Sequence, residues 1–288
     1  MNNQTNQEIS SNGFLGENYH IHIEPIKGLA DLNIKEFWKY RELLFFFIWR
    51  DVKVRYKQTM LGASWAIIQP FFSMVVFSLF FGRLANIGSD GLPYPIFNYA
   101  ALLPWSYFSG SLSAASHSMV SSSNLITKIY FPRLILPISA VFSGLVDFAF
   151  AFLVLIGMMI FYSVKPTIYI LVLPFLLLLA LITALGVGLW FAALNVRYRD
   201  VRYIIPFLIQ LWMFATPVVY SSSMLPEPWR TLYGINPMAG VVDGFRWALL
   251  GSDPPGTMIW LSVCVSIFLF ISGIYYFRKM ETTFADEV

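Results

Sequence analysis

Six long apolar stretches, residues 64–84, 96–119, 135–162, 168–194, 204–220 and 258–277, dominate this 288-residue chain. A helix crosses the hydrocarbon core of a bilayer with about 20 predominantly apolar residues. In lipid it also satisfies its own backbone hydrogen bonds. The pattern therefore predicts an all-α integral membrane protein with six transmembrane helices. The basic residues orient it. With the N-terminus in the cytoplasm, only Arg83, Lys165, Arg230 and Arg246 of the 19 Lys and Arg fall on the outer side. Orientation follows the Lys/Arg-rich side, so both termini are expected in the cytoplasm.

Composition agrees with a membrane chain. Hydrophobic residues make up 57% and charged residues 12%, with a mean hydropathy of +0.65, which excludes an ordinary soluble domain. The net charge of +3 is then a topology signal placed at membrane edges, and no nucleic-acid partner is expected. The single cysteine, Cys264, lies in the last stretch, so no internal disulfide can form. The first 30 residues carry Glu8, Glu17, Glu24 and only Lys27 as a lysine, without an apolar core. No cleavable signal peptide is expected, and the first span would serve as the insertion signal.

Four regions follow. Residues 1–30 read as a disordered cytoplasmic tail, in which the His20-x-His22 pair lacks further ligands and predicts no metal site. Residues 31–62 open with Asn33-Ile-Lys-Glu36, similar to a capping box. Ile34, Phe37, Trp38, Leu44, Phe45 and Ile48 then recur near helical spacing, with Lys35, Lys39 and Arg41 on the more polar face. That pattern suits an amphipathic helix in the membrane interface, or one packed on the spans. Residues 63–280 form the six-span domain, and 281–288 a cytoplasmic C-terminal tail. Pro70, Pro104, Pro174, Pro206 and Pro217 are expected to kink their spans. Between spans five and six, residues 221–257 are too long for a tight turn. Asn236 at the cap, Pro237 in the first turn and Gly251 past the end delimit a helix over 237–250. At about 21 Å it is too short to cross. The segment reads as a re-entrant or external helical hairpin, either an exit guard or a lid, with Asp243 and Arg246 able to pair on one face.

What is missing narrows the function. No Lys follows a Gly, so no phosphate-binding GxxxxGK[ST] loop exists. There is no HExxH, no GxSxG and no metal-spaced Cys/His set. Asp147 is the sole acid well inside a span; it suits a packing role with a neighbouring donor better than an ion relay. His117 reads as a hydrogen-bonded polar residue. A transport process run through this chain would draw its energy from another subunit.

Four motifs carry specific information: Arg50-Asp-Val-Lys53-Val-Arg55-Tyr56-Lys57 continuing to Trp65 and Gln69-Pro70; Leu103-Pro104-Trp105-Ser-Tyr107-Phe108; Asn124-Leu-Ile-Thr-Lys128-Ile-Tyr-Phe131-Pro132-Arg133; and Asn195-Val-Arg197-Tyr198-Arg199-Asp200, followed by Thr216-Pro217 and Asn236-Pro237. In this order they resemble the permease subunits of type-2 ABC exporters, in the polysaccharide, O-antigen and teichoic-acid export branch (Wzm/TagG-like). The resemblance covers about residues 50–280; Ser122 stands where relatives often have Asn, and Thr216 where Ser is common. It implies a homodimer in the bacterial inner membrane, bound to two ABC ATPase subunits and carrying a lipid-pyrophosphate-linked glycan. Cofactors are none in this chain, ATP and Mg belonging to the partner, and the chain is expected to be a transport subunit and no enzyme. By position, Asn124, Lys128, Phe131, Pro132 and Arg133 would form one ATPase-coupling loop. Arg197, Tyr198, Arg199 and Asp200 would form the second, or serve only as topology anchors.

The residues add their own expectations. Arg50, Lys53, Arg55 and Lys57 make a basic inner mouth that either anchors to anionic lipid or receives the substrate pyrophosphate, for which Arg offers bidentate geometry. Trp65, Trp105, Tyr107, Phe108, Trp212, Phe214 and Tyr220 lie beside proline breaks and are candidate channel aromatics for the apolar faces of sugars. Trp229, Tyr233, Asp243, Arg246 and Trp247 are the candidate external gate. Rival readings are a type-2 ABC exporter of a drug or lipid, an integral-membrane glycosyl- or acyltransferase, and an ion-driven flippase.

Overall fold

The structure is a computed structural model that describes residues 38–57, 62, 64–281 and 284. His20, His22, the Asn33–Glu36 cap, Ile34 and Phe37 lie outside the described residues. Every regular element among the described residues is helical. Helix α1 runs over Arg41–Lys57. Helix α2, Ser64–Phe77, continues into a π-helical turn at Ser78–Leu84. Then come α3 (Tyr94–Ser121), the single turn α4 (Ser123–Ile126) and α5 (Ile135–Phe161). A 3-10 turn at Ile168–Val172 leads into α6 (Leu173–Arg197), followed by α7 (Val201–Phe214). Short turns and α8 (Trp229–Leu232) precede α9 (Pro237–Leu250) and α10 (Met258–Glu281).

Among the described residues four helices are long and apolar enough to cross a membrane: Ser64–Leu84, Ile135–Phe161, Ile168–Arg197 and Met258–Glu281. The other two expected spans differ for physical reasons. Helix α3 is 28 residues long, but its second half is rich in serine, which the centre of the bundle tolerates because Ser116 and Ser118 bond back to carbonyls of their own helix. Helix α7 stops at Phe214 and covers 14 residues, about 21 Å, so the fifth stretch is shorter than the expected 204–220. Pro217 falls in the turn beyond it, and Pro174 sits at the start of α6, where a missing N–H costs nothing. Neither kinks a span; Pro70, Pro104 and Pro206 are the prolines inside helices.

Helix α3 is the hub, packing on α5, α6 and α9, with α2 and α7 at its edges, while α10 packs on α6. Lipid tails are as apolar as leucine, so small residues and interhelical hydrogen bonds determine such contacts. A Cβ added at Gly186 of α6 would lie 2.7 Å from the Leu269 carbonyl carbon of α10, so only glycine lets these backbones touch. Thr183 and Ser266 hydroxyls bond at 2.8 Å across the same pair, and Asn195 donates from α6 to the Ser116 carbonyl of α3 at 3.0 Å.

Helix α9 begins and ends as its sequence dictates. The Asn236 side chain accepts from the Met238 N–H, Pro237 opens the helix, and Gly251 closes it at φ 73°. Its surroundings depart from a surface-lying hairpin: nearly all its residues are buried against α3, α6 and α10. Helix α1 packs on α5, through Tyr40, Leu43, Leu44 and Phe47 into a cluster with Phe131, Phe277 and Phe284. Its inward aromatic is Phe47, whereas Trp38, Phe45, Phe46 and Trp49 are exposed, so the apolar set read from spacing faces outward in part.

Candidate functional site

Two adjoining cavities open where α1, the end of α3, α4 and the first half of α5 meet. The larger, about 550 Å³, is lined by Arg50, Asp51, Val54, Arg55, Ser121, Ser122, Asn124 and Leu125. The smaller, about 260 Å³, shares Arg50, Asp51 and Arg55 and adds His117, Ser118 and Ser143 among its walls. Two arginines and a ring of hydroxyls converge here, a donor set suited to an anionic, oxygen-rich group.

The seam between α1 and α5 explains how the arginines are held. Ser139, Ser143 and Asp147 recur at four-residue spacing and so share one stripe of a helix that is otherwise apolar. Asp51 and Arg55, also four apart, face them. Arg50 donates twice to Asp51 Oδ1, at 3.0 and 2.8 Å, and Asp51 Oδ2 accepts from Ser139 at 3.3 Å. Arg55 donates to Ser143 Oγ at 3.2 Å and pairs with Asp147, whose other oxygen accepts from Tyr56. Burial first, and then the Asp147 carboxylate, push the Tyr56 phenol above its ordinary value, so it remains a donor. Asp147 thus meets a tyrosine, as expected of a packing acid, but it also pairs with Arg55, for which the sequence suggested only lipid anchoring or substrate contact.

Of the four basic residues, Arg50 and Arg55 line the cavities, while Lys53 and Lys57 are exposed and take no part in either wall. Asp51, His117, Ser118, Ser121, Ser122 and Ser143 were not singled out as site residues. The polar stripe at four-residue spacing on an apolar α5 was the available signal for Ser143 and Asp147. His117 makes its expected hydrogen bond, to the Ser113 carbonyl at 2.7 Å.

The coupling residues divide. Asn124 and Lys128 are exposed, as are Arg197, Tyr198, Arg199 and Asp200. Phe131 is buried, and Arg133 donates to the Glu281 carbonyl at the end of α10. Arg133 and Phe131 therefore brace the loop from within, and Pro132, partly covered between them, sets its corner. Asn124 also lines the larger cavity, so the loop and the basic pocket share a wall.

The channel aromatics do not gather on one surface. Trp105, Tyr107 and Phe108 are buried core residues, and Phe108 meets Trp212 edge-on at 4.9 Å. Their burial in the bundle corrects their assignment to a channel wall. Trp212 is half-buried and donates to Asn236 at 2.8 Å, and Tyr220 bonds Tyr233 at 2.6 Å. Trp65 and Phe214 remain exposed. The gate set changes similarly. Trp229 is exposed and Trp247 stacks on Tyr169 at 4.3 Å, but Asp243 and Arg246 are buried. Arg246 donates to the carbonyls of Phe97, Pro217, Val218 and Tyr220 as well as to Asp243. These bonds clamp the chain after α7.

Long apolar helices crossing on glycine and serine contacts, with a charged pocket at one end, define a multi-pass membrane protein. The chain belongs to the ABC-2 type transporter family, which it matches over residues 42–250. It is accordingly a transport subunit that works with an ABC ATPase. It is similar to the O-antigen export system permease protein RfbA of Myxococcus xanthus, 29% identical over 88% of this chain and 98% of the relative. The protein of the same name from Klebsiella pneumoniae is 26% identical over 82% of this chain and 91% of its own. The polysialic acid transport protein KpsM of Escherichia coli is 22% identical over 81% and 91%.

Proposed function

We propose that the chain is the permease subunit of an ATP-driven exporter that moves a lipid-pyrophosphate-linked polysaccharide, of the O-antigen kind, across the bacterial inner membrane. Its kinship to permeases named for O-antigen and polysialic acid transport supports the substrate class. The observation that carries the mechanism is the shared wall: Arg50 and Arg55 line a cavity whose rim is Asn124 and Leu125 of the loop expected to dock on the ATPase. A pyrophosphate entering at the arginines is then sensed next to the element that the ATPase moves.

Two copies would assemble with two ATPase subunits, with both termini in the cytoplasm, where most of the Lys and Arg lie. In this reading the chain crosses six times, α3 and the short α7 supplying the second and fifth passages, and α9 enters from the outer side without crossing. The glycan passes between the two copies along α2 and α7, whose exposed faces carry Trp65, Phe71, Phe72, Phe207 and Phe214. ATP hydrolysis takes place wholly in the partner.

Affinity purification of the tagged chain from native membranes tests the assembly: an ABC ATPase is recovered near one-to-one, and a chain that purifies alone refutes it. The pocket is tested by Arg50→Ala/Arg55→Ala, which is expected to abolish surface glycan at normal protein level and ATPase assembly. Lys53→Ala/Lys57→Ala is expected to leave most export intact. Equal export in both double variants removes the pocket from the mechanism.

A further inference from the structure

We propose that Asp51 and Asp147 are specificity-determining residues: they act as resident counter-ions that keep Arg50 and Arg55 from binding singly charged membrane lipids and give way only to a headgroup with two charges. The inference rests on the reading of the pocket as the pyrophosphate site. A cytoplasmic leaflet rich in anionic phospholipid surrounds any basic inner mouth. Two unpaired arginines there would be filled by the commonest phosphodiester at hand. The structure gives each arginine a carboxylate of its own, Asp51 in the cavity wall for Arg50 and Asp147 behind it for Arg55, so each cation already has a counter-ion.

The degree of exposure makes these pairs exchangeable. The side chains of Arg50 and Asp51 are 32% and 23% exposed and those of Arg55 and Asp147 are 35% and 32%, against 2% and 7% for the Arg246–Asp243 clamp. A cation that still meets solvent can change partner, whereas one sealed in the core cannot. Exchange nevertheless has a cost. Asp147 lies about 18 Å along α5 from its start, among apolar residues, and without Arg55 it keeps Tyr56 as the donor the structure gives it. Asp51 would keep Ser139. A phosphodiester with one charge replaces one carboxylate by an equivalent anion and leaves the displaced carboxylate poorly solvated, so it gains nothing. A pyrophosphate diester in the cavity that both arginines line can form two charge-assisted contacts at once and so offset both displacements. The carboxylates thereby set a threshold in ligand charge, with Ser139 and Tyr56 as the donors that stay on them and Ser143 on Arg55.

The test uses the permease–ATPase complex in nanodiscs, with phosphatidylglycerol (one charge) and a short polyprenyl-pyrophosphoryl monosaccharide (two charges) as probes, their binding read by native mass spectrometry. The wild type is expected to prefer the pyrophosphate lipid by about tenfold or more. In Asp51→Asn, in Asp147→Asn and in the pair, phosphatidylglycerol binding rises, on the order of tenfold in the pair, and the preference collapses. Asp147→Glu restores it. Asp51→Asn keeps one acceptor oxygen, for Arg50, and its amide N–H can donate to the Ser139 hydroxyl, so it carries the test alone if Asp147→Asn fails to assemble. Unchanged selectivity in assembled Asn variants overturns the proposal. A wild-type complex that binds neither lipid, or both equally, overturns the pocket reading itself, and the proposal falls with it.

Discussion

Replacing Arg246 by methionine, of similar length and without charge, tests whether α9 is clamped or gated. The arginine is 1% exposed and its guanidinium lies 3.7 Å from the Phe97 ring centroid. It donates to the carbonyls of Pro217 at 2.6 Å, Val218 at 2.7 Å, Tyr220 at 3.1 Å and Phe97 at 3.3 Å, and to Asp243 at 3.4 Å. Residues 217–220 have left the helix, so these carbonyls have no ladder to return to. Removing one partner of a buried ion pair costs about 3–5 kcal/mol, and each buried carbonyl left without a donor adds about 1–3 kcal/mol before relaxation. A total of about 5 kcal/mol or more rivals the net stability of about 5–15 kcal/mol typical of a folded domain. Arg246→Met is therefore expected to lose most of its monodisperse peak after mild heating, followed by fluorescence-detected size exclusion. Asp243→Asn keeps an acceptor for Ser222 and is expected to cost less, about 1–3 kcal/mol. Adding Asp243→Asn to Arg246→Met removes the stranded carboxylate, so the double variant is more stable than Arg246→Met alone. An Arg246→Met protein with a wild-type melting profile refutes the clamp and returns the residue to a gating role.

Two further outcomes follow from the packing. Gly186→Leu, with no room at the Leu269 backbone, is expected to lower the thermal midpoint by the equivalent of about 2–3 kcal/mol. Gly110→Ala, which meets nothing within 4 Å, is expected to be neutral or stabilising by up to about 1 kcal/mol. Similar destabilisation by both would refute the close crossing of α6 and α10. Asn236→Ala removes the cap of α9 and the acceptor of the Trp212 indole N–H, at a combined cost of about 2–4 kcal/mol. Asn236→Asp keeps both acceptors, and its thermal midpoint is expected to lie between those of wild type and alanine.

Much of the architecture could be read from the sequence because it depends on local chemistry. Apolar runs of about 20 residues dictate helices in lipid, and among the described residues four are long and apolar enough to span. The ends of α9 are written in Asn236, Pro237 and Gly251, since a cap, a ring-fixed φ and a left-handed glycine act within a few residues. Even the pairing of Asp243 with Arg246 follows from three-residue spacing. The end of α7 was less legible: hydropathy continues through Pro217 to Tyr220, and only the bonds from Arg246 and Asn236 show where the helix gives way.

Which polar residues meet across helices was a tertiary decision. The sequence placed four basic residues at the inner mouth, but the facing of α1 on α5 selected Arg50 and Arg55 and left Lys53 and Lys57 outside. Asp147 was visible as an isolated acid, and Arg55, 92 positions away, became its partner only when the helices docked. Trp105, Tyr107 and Phe108 carried the same aromatic chemistry as Trp65 and Phe214, yet the bundle closed over the first three and left the last two uncovered. Hydropathy and capping report the preference of a segment for lipid or for a turn, whereas which face is covered depends on neighbours distant in sequence, and in a membrane every apolar face is equally at ease until another helix arrives.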